Sequence, residues 1–503
     1  MKKIDMTKGP IMGNILLFAL PIIVGNILQY LYTTVDTLVI GKYCDYKAIA
    51  SVGTSSQPIE VLLCVFLGIG TGVSILVSQH IGAGHRDKVK DACVTAVSLV
   101  YYCGIPVAVI GWFVAPLLLK LLGVPADVWD NALLYTRLVL CGAVGNIGYN
   151  MNAGILRGAG DSKASLYFLF VSCVANVVLD VVFVAYVGWG VGGVALATAI
   201  AMFLSWIFSI VYIRKRYPEL GLPWFPGRIV WSEMRKILGI GLPIGLNNSL
   251  FSFGHMAMQG LVNSQGSVIM AGCSISGRVT GIANMAITGI SAAATTFSGQ
   301  NFGAGNIKRL REGQIMIPAV SGLITLSFGV IFIMLRMPIL RMFTDEAPVL
   351  DFAQGFVCVM LLSQWMYAVF NGISCIVNGT GRVKYTTVIN LMMLWAVRIP
   401  AAYLIAAFID GKYYMYSFPI SFAFGMICMI AYYIVSPSWK ALMAEANPDK
   451  EKAKDKDKGK DQDQDKTKTK TIDKTKDKIK DIAKEKAEGK GKFHFPRLAV
   501  RKI

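Results

Sequence analysis

The sequence predicts an all-α polytopic membrane protein, with twelve transmembrane helices in two six-helix bundles related by a pseudo-two-fold axis along the membrane normal. Three observations carry that prediction. Apolar residues fill 54% of the 503 positions and charged residues only 16%, with a mean hydropathy of +0.55, whereas a soluble domain carries about 25% charge. Twelve apolar runs are long enough to cross a hydrocarbon core of about 30 Å, which takes roughly 20 helical residues. The punctuation of the first six runs returns in the last six.

The runs lie near 11–40, 48–79, 92–119, 131–155, 164–187, 190–213, 236–262, 267–298, 313–335, 351–377, 385–408 and 413–436, separated by charged or Gly/Pro-rich turns. With the N-terminus in the cytoplasm, nineteen Lys/Arg before residue 437 fall inside, among them Lys2, Lys3, Arg86, Arg157, Arg214, Arg309 and Lys384. Seven fall outside: Lys42, Lys47, Lys120, Arg137, Arg336, Arg341 and Lys412. Lys/Arg collect on the cytoplasmic side, so both termini are expected inside a cell membrane. The first run has no small-residue cleavage site, so no cleavable leader is expected.

The repeat is read at a shift of 221 to 222 residues. Ser78-Gln79-His80-Ile81-Gly82-Ala83-Gly84 returns as Gly299-Gln300-Asn301-Phe302-Gly303-Ala304-Gly305, and Arg157-Gly158-Ala159-Gly160 returns as Asn378-Gly379-Thr380-Gly381. Asn150 falls on Asn371, and Leu20-Pro21-Ile22 on Leu242-Pro243-Ile244. An even number of helices separates equivalents, so both halves share one topology and should enclose a cavity. The domains are then an N-terminal lobe 1–213, a cytoplasmic connector 214–235, a C-terminal lobe 236–436 and a tail 437–503. The Gln-x-x-Gly-Ala-Gly turns read as tight helix ends where glycine permits positive φ.

Ionisable groups inside spans are rare and functional by default. Here they are Asp36, Glu60, Asp180, Arg278, Arg398 and His255. Asn176 and Asp180 share one face of the fifth run. Counting 1.5 Å per residue from the outer span ends brings Asp36, Asp180 and Thr198 to one depth in the outer half of the first lobe. Two carboxylates in low dielectric do not both stay ionised without a cation or a shared proton. Asp36, Asn176, Asp180 and Thr198 therefore read as a cation site, for H+ or, if a metal couples, Na+. A static polar network joining helices is the alternative. Glu60 reads equally as a snorkelling or a binding group, and Arg278 and Arg398 as structural or functional. Gln29, Tyr32, Asn150, His255 and Arg278 are candidate lining residues of a substrate cavity, although a lone histidine on an apolar face is usually packed.

Leu20-Pro21-Ile22-Ile23, Gly25-Asn26, Gln29, Leu31-Tyr32 and Val35-Asp36-Thr37, both Gln-x-x-Gly-Ala-Gly turns, and Leu156-Arg157-Gly158-Ala159-Gly160-Asp161 resemble the multidrug and toxic compound extrusion (MATE) family over residues 9–436. The resemblance implies a V of two six-helix bundles and antiport of organic, often cationic, compounds against Na+ or H+. The family's N-lobe cation site matches Asp36, Asn176, Asp180 and Thr198 residue by residue. The seventh and tenth runs lack the acids of the NorM-like branch, offering His255, Gln259, Gln364 and Asn371 instead, so the chain looks closer to the DinF-like branch.

Other classes are disfavoured. The net charge of +19 divides between loops and a tail in which 437–503 holds 21 Lys/Arg and 13 Asp/Glu, and no basic helix with interleaved aromatics suggests nucleic acid. Four histidines and ten dispersed cysteines form no metalloenzyme motif, so neither enzyme activity nor a cofactor beyond the coupling ion is expected. The remaining rival is a lipid-linked saccharide flippase of the same architecture. The expected partners are a small organic substrate and membrane lipid, with the chain a monomer. From 447 to 492 the tail lacks the apolar residues to fold.

Overall fold

Twelve long helices follow one another through the chain in a computed structural model that describes residues 3–121 and 124–444. They are α1 Ile11–Tyr43, α2 Tyr46–Gly82, α3 Arg86–Lys120, α4 Trp129–Gly158, α5 Ser162–Tyr186 and α6 Gly190–Arg216, then α7 Trp231–Asn263, α8 Ser267–Gly303, α9 Ile307–Met334, α10 Ala347–Gly379, α11 Val383–Phe408 and α12 Gly411–Val435. All but α8 are by themselves long and apolar enough to cross a membrane. The 37-residue α8 carries Arg278 and many Ser, Thr and Gly, the composition of a helix that turns one face to a polar cavity. Helices suit these runs because lipid offers no hydrogen-bond partner, and a helix satisfies its backbone internally. The chain divides into a unit Met1–Lys440 and a unit Ala441–Ile503. Of the second only Ala441–Ala444, the end of a short helix from Pro437, is described; the tail read from 447 onward lies outside the described residues.

Hydropathy reports where a helix is but not its hydrogen-bond register. Three spans pass through π-helical stretches: Val100–Gly104 in α3, Val181–Tyr186 in α5 and Met392–Arg398 in α11. Such widened turns mark functional positions more often than chance, and two of these adjoin charged residues, Asp180 and Arg398. Proline interrupts α1 at Pro21 and, at its repeat equivalent, α7 at Pro243.

The two bundles meet along a seam that obeys the repeat. On α2, a Cβ at Gly68 would fall on the backbone of Gly245 in α7; on α8, a Cβ at the equivalent Gly289 would fall on Ile23 and the Ala19 carbonyl of α1. At the end rich in Lys and Arg, hereafter the basic end, Gly82 abuts the Gln300 carbonyl and Gly303 the Gln79 carbonyl. Nothing larger than glycine fits at Gly68, Gly82 or Gly303 without moving backbone, or at Gly289 without moving the Ile23 side chain. Toward the other end α1 and α8 part, leaving a cleft of about 340 Å³ between Asn26–Thr33 and Gly281–Thr288.

The first residues cross this seam. Ile4 N donates to Gly160 O at 3.0 Å, while Met6 N donates to Gln300 Oε1 and Asn301 Nδ2 to Met6 O, both at 3.0 Å. Between α6 and α7 the chain packs on α3, where Gly227 N donates to Ser98 Oγ at 3.1 Å, and is tied back to α6 by Arg214 Nη1, which donates to Leu222 O at 2.9 Å. Asp161 caps α5 and accepts the Tyr217 hydroxyl at 2.7 Å.

Candidate functional site

Between the bundles lies a cavity of about 890 Å³ whose wall draws on α1, α2, α4, α5 and α6 of one bundle and α7, α8, α10 and α11 of the other. Its chemistry is neutral and polar. Nine asparagines line it, with Glu60 the one carboxylate and Arg157 the one guanidinium among the lining residues. Neighbouring amides bond one another, as where Asn150 Nδ2 donates to Asn146 Oδ1 at 2.9 Å.

Of the residues expected in the wall, Gln29, Tyr32 and Asn150 are there, and so are Asn176 and Thr198 of the expected cation site. His255 and Arg278 are not among the lining residues. His255 shares the face of Asn248 but sits seven residues, about 10 Å, further along α7, where its ring meets Phe251 edge-on at 4.9 Å. Arg278 is exposed, and at 100° per residue it lies about 80° round α8 from the wall residue Thr288. A one-dimensional span gives neither depth nor azimuth well enough to exclude these two.

Behind Tyr32 stand the acids. Asp36 and Asp180 are side by side, and their level is fixed by packing. Ile40 of α1, Val184 of α5 and Val194 of α6 join one apolar cluster with Val39 and Val191. One turn back along α1 and α5 are Asp36 and Asp180, and one turn on along α6 is Thr198. The cluster closes the acids off from the end opposite the basic one. Asp180 is fully buried, Asn176 is 2% exposed and Thr198 8%. Asp36 Oδ1, both Asp180 carboxylate oxygens and both side-chain polar atoms of Asn176 are buried without a hydrogen-bond partner. So many orphaned oxygens in one place are costly and suit a small cation or proton. Two acids with neutral oxygens form a hard donor set. Among the described residues no group of three or more His, Cys, Asp or Glu is placed to hold a metal ion.

Tyr135 of α4 belongs to the same cluster, adjoining both acids and hydrogen-bonding Ser56 of α2. No spacing within α4 points to it; only the fold brings residue 135 to residues 36 and 180.

The basic end is shut by a second constellation, built on the two Gln-x-x-Gly-Ala-Gly turns. Gly84 and Gly305 do adopt positive φ, +71° and +68°. In addition, Gln79 Nε2 donates across the seam to Gly379 O at 2.8 Å, and Gln300 Nε2 donates to Gly158 O at 3.0 Å. Each glutamine thereby satisfies a carbonyl left over at the C-terminus of a helix in the opposite bundle. The next position breaks the symmetry: His80 Nε2 bonds Glu233 Oε2 at 2.7 Å, whereas Asn301 holds Met6.

Comparison with known proteins places these features. The MatE family model matches twice, over residues 21–182 and 243–404, two segments that begin 222 residues apart and coincide with the repeat. The chain is 28% identical over 449 residues to the probable multidrug resistance protein YpnP of Bacillus subtilis, covering 88% of this chain and 99% of that one. A crystal structure of a MATE protein in the bent conformation superimposes with a TM-score of 0.82 at 19% identity, over 88% of this chain and 99% of the other. The outward-facing conformation of a multidrug resistance MATE family transporter does so at 0.79 and 20%, over 89% and 99%. The chain belongs to the MatE family, and it is a multipass membrane transporter of the secondary active efflux type.

Proposed function

We propose that the chain exports organic, often cationic, compounds in exchange for Na+ or H+, and that Asp36, Asn176, Asp180 and Thr198 hold the coupling cation. The observation that carries this reading is the buried acid pair with orphaned oxygens, set one residue, Tyr32, behind the cavity wall. Empty and ionised, the pair attracts a cationic compound into the cavity. Once a proton or Na+ is bound, that attraction falls and the compound is released. A ligand shifts the balance of conformations only by its differential affinity for them, so ion and substrate weaken each other by the same factor. The glutamine pair at the basic end is the closure that alternates with opening on the far side. The excess of Lys/Arg at that end supports a cytoplasmic location for it and for both termini.

The lack of acids in the middle of α7 and α10 supports the DinF-like branch and a single cation site. YpnP is described as a probable multidrug resistance protein, which supports the same substrate class here; the chain acts as a monomer and without nucleic acid. A lipid-linked saccharide flippase would be expected to present a basic cavity, and the wall has one arginine against one carboxylate.

The test is substrate binding and transport in proteoliposomes under separately imposed Na+ and proton gradients. The expected coupling is about 1–3 kcal/mol, or roughly 5- to 150-fold in affinity. Substrate affinity that ignores both ions, in wild type and in Asp36→Asn alike, overturns the antiport reading.

A further inference from the structure

The C-terminal lobe holds a positive charge that no carboxylate neutralises among the described residues. Arg398, at the end of the π-helical stretch of α11, is 2% exposed. Its guanidinium carbon lies over three rings, Phe418 at 4.8 Å, Phe422 at 5.0 Å and Phe251 at 5.7 Å. Nε donates to Ser421 Oγ at 3.0 Å, but Nη2 is buried without a partner. Arginine does not shed its proton in proteins. Ring faces attract a cation yet leave a guanidinium N–H without an acceptor, and a buried charge normally has one.

No carboxylate is available from the helices packed around it. On α7, Glu233 lies in the first turn, bonded to His80 and Lys236; on α10, Asp351 is exposed and bonded to Gln354; beside α12, Asp410 pairs with Lys412. The titratable groups that do face Arg398 are His255 from α7 and Tyr367 from α10, neither of them an anion at neutral pH. Tyr367 is part of the cavity wall and packs on Phe422 with ring centroids 5.0 Å apart. Arg398 is therefore one aromatic layer behind the wall, as the acids are in the other bundle. At the 222-residue offset of the two matched segments, Arg398 falls on Asn176.

We propose that Arg398, with Ser421 and the three phenylalanines, is an anion subsite reached from the cavity past Tyr367. It takes a single negative charge, either a halide or the carboxylate of a zwitterionic substrate. The proposal does not depend on which cation drives transport.

Two arms on the purified full-length protein separate the sources. In the first, bromide is titrated against methanesulfonate at constant ionic strength and the thermal midpoint is followed without organic substrate. A resident halide raises the midpoint in wild type and leaves Arg398→Met unchanged. In the second, affinities are measured for a rhodamine bearing a free carboxylate and for its methyl ester. A carboxylate subsite makes Arg398→Met lose roughly ten- to a hundredfold in affinity for the free acid and little for the ester, as loss of a charge-assisted bond predicts. Wild-type protein that ignores bromide, and whose preference between acid and ester is the same in Arg398→Met, overturns the proposal. So does a wild type that ignores bromide and binds both dyes alike, whatever becomes of the variants, and Arg398 is then a cation–π strut between helices.

Discussion

The two bundles share a backbone plan and differ in charge. Along the seam the halves are nearly interchangeable: Gly68 and Gly289, Gly82 and Gly303, Gln79 and Gln300 occupy matching positions and make matching contacts. One layer behind the cavity they are opposites, with Asp36 and Asp180 in the first bundle and Arg398 in the second. The difference follows from what each position must do. At the seam, backbones approach so closely that geometry dictates the residue in both halves. Behind the wall there is room for a side chain and its partner, so either sign of charge is sterically acceptable, and each half has kept its own chemistry.

The sharpest way to break that comparison is to remove the charge from the first bundle. Asp36→Asn is expected to abolish coupled efflux while leaving membrane insertion intact, because an amide still hydrogen-bonds but cannot exchange charge with a cation. Asp180→Asn should match it, and the double variant should be little worse than either, since residues acting as a unit are not additive. Efflux by vesicles carrying each variant, at matched protein amounts, measures this; wild-type rates would refute the site.

The seam makes a smaller and symmetric demand. Gly82→Val and Gly303→Val drive a side chain into the opposing backbone, so each should cost about 1–3 kcal/mol, typical of overpacking. Gly277→Ala, whose Cβ meets nothing within 4 Å, should be neutral or stabilising. Thermal midpoints of the three variants decide whether the two halves of the seam are equivalent.

Removing one glutamine hydrogen bond at the basic end should cost less, about 0.5–1.5 kcal/mol. Gln79→Ala and Gln300→Ala are both expected to favour opening there, Gln300→Ala by more because it also frees Met6 N. Cys64, Cys173 and Cys375 line the cavity and report it, since their maleimide labelling from the basic side should rise in both variants. Equal labelling would show that the bond to Met6 adds nothing to the closure. Deleting 447–503 should change transport least of all, as the Lys- and Asp-rich 447–492 offers almost no apolar surface to bury; lost activity at matched expression would contradict this.

Much of the fold was legible because lipid leaves a chain few choices. An apolar run of the right length becomes a helix, and the twelve runs lie within the twelve helices to within a few residues, as 267–298 does within Ser267–Gly303. The repeat was legible because glycine at positions 82 and 303 is dictated by contact. Asp36, Asn176, Asp180 and Thr198 were legible as a group because charge is scarce in spans and depth can be counted. The remainder depends on neighbours far apart in sequence. Nothing near Gln79 announces Gly379, nothing in α4 singles out Tyr135, and the three rings over Arg398 come from α7 and α12. The same holds for His255 and Arg278, which lie off the cavity wall: span membership fixes neither the depth nor the azimuth of a side chain.

The asparagine wall bears on how such a cavity chooses its cargo. A primary amide carries a donor and an acceptor on one planar group, and half a turn about its last bond exchanges them with almost no change in shape. Nine of them give the cavity a surface without fixed polarity, able to answer a hydroxyl, an amine or a carbonyl at the same spot. A lining of this kind accepts many molecules and ranks them poorly. What ranking there is must come from the charges one layer further out, felt through the wall, and from the width of the space itself.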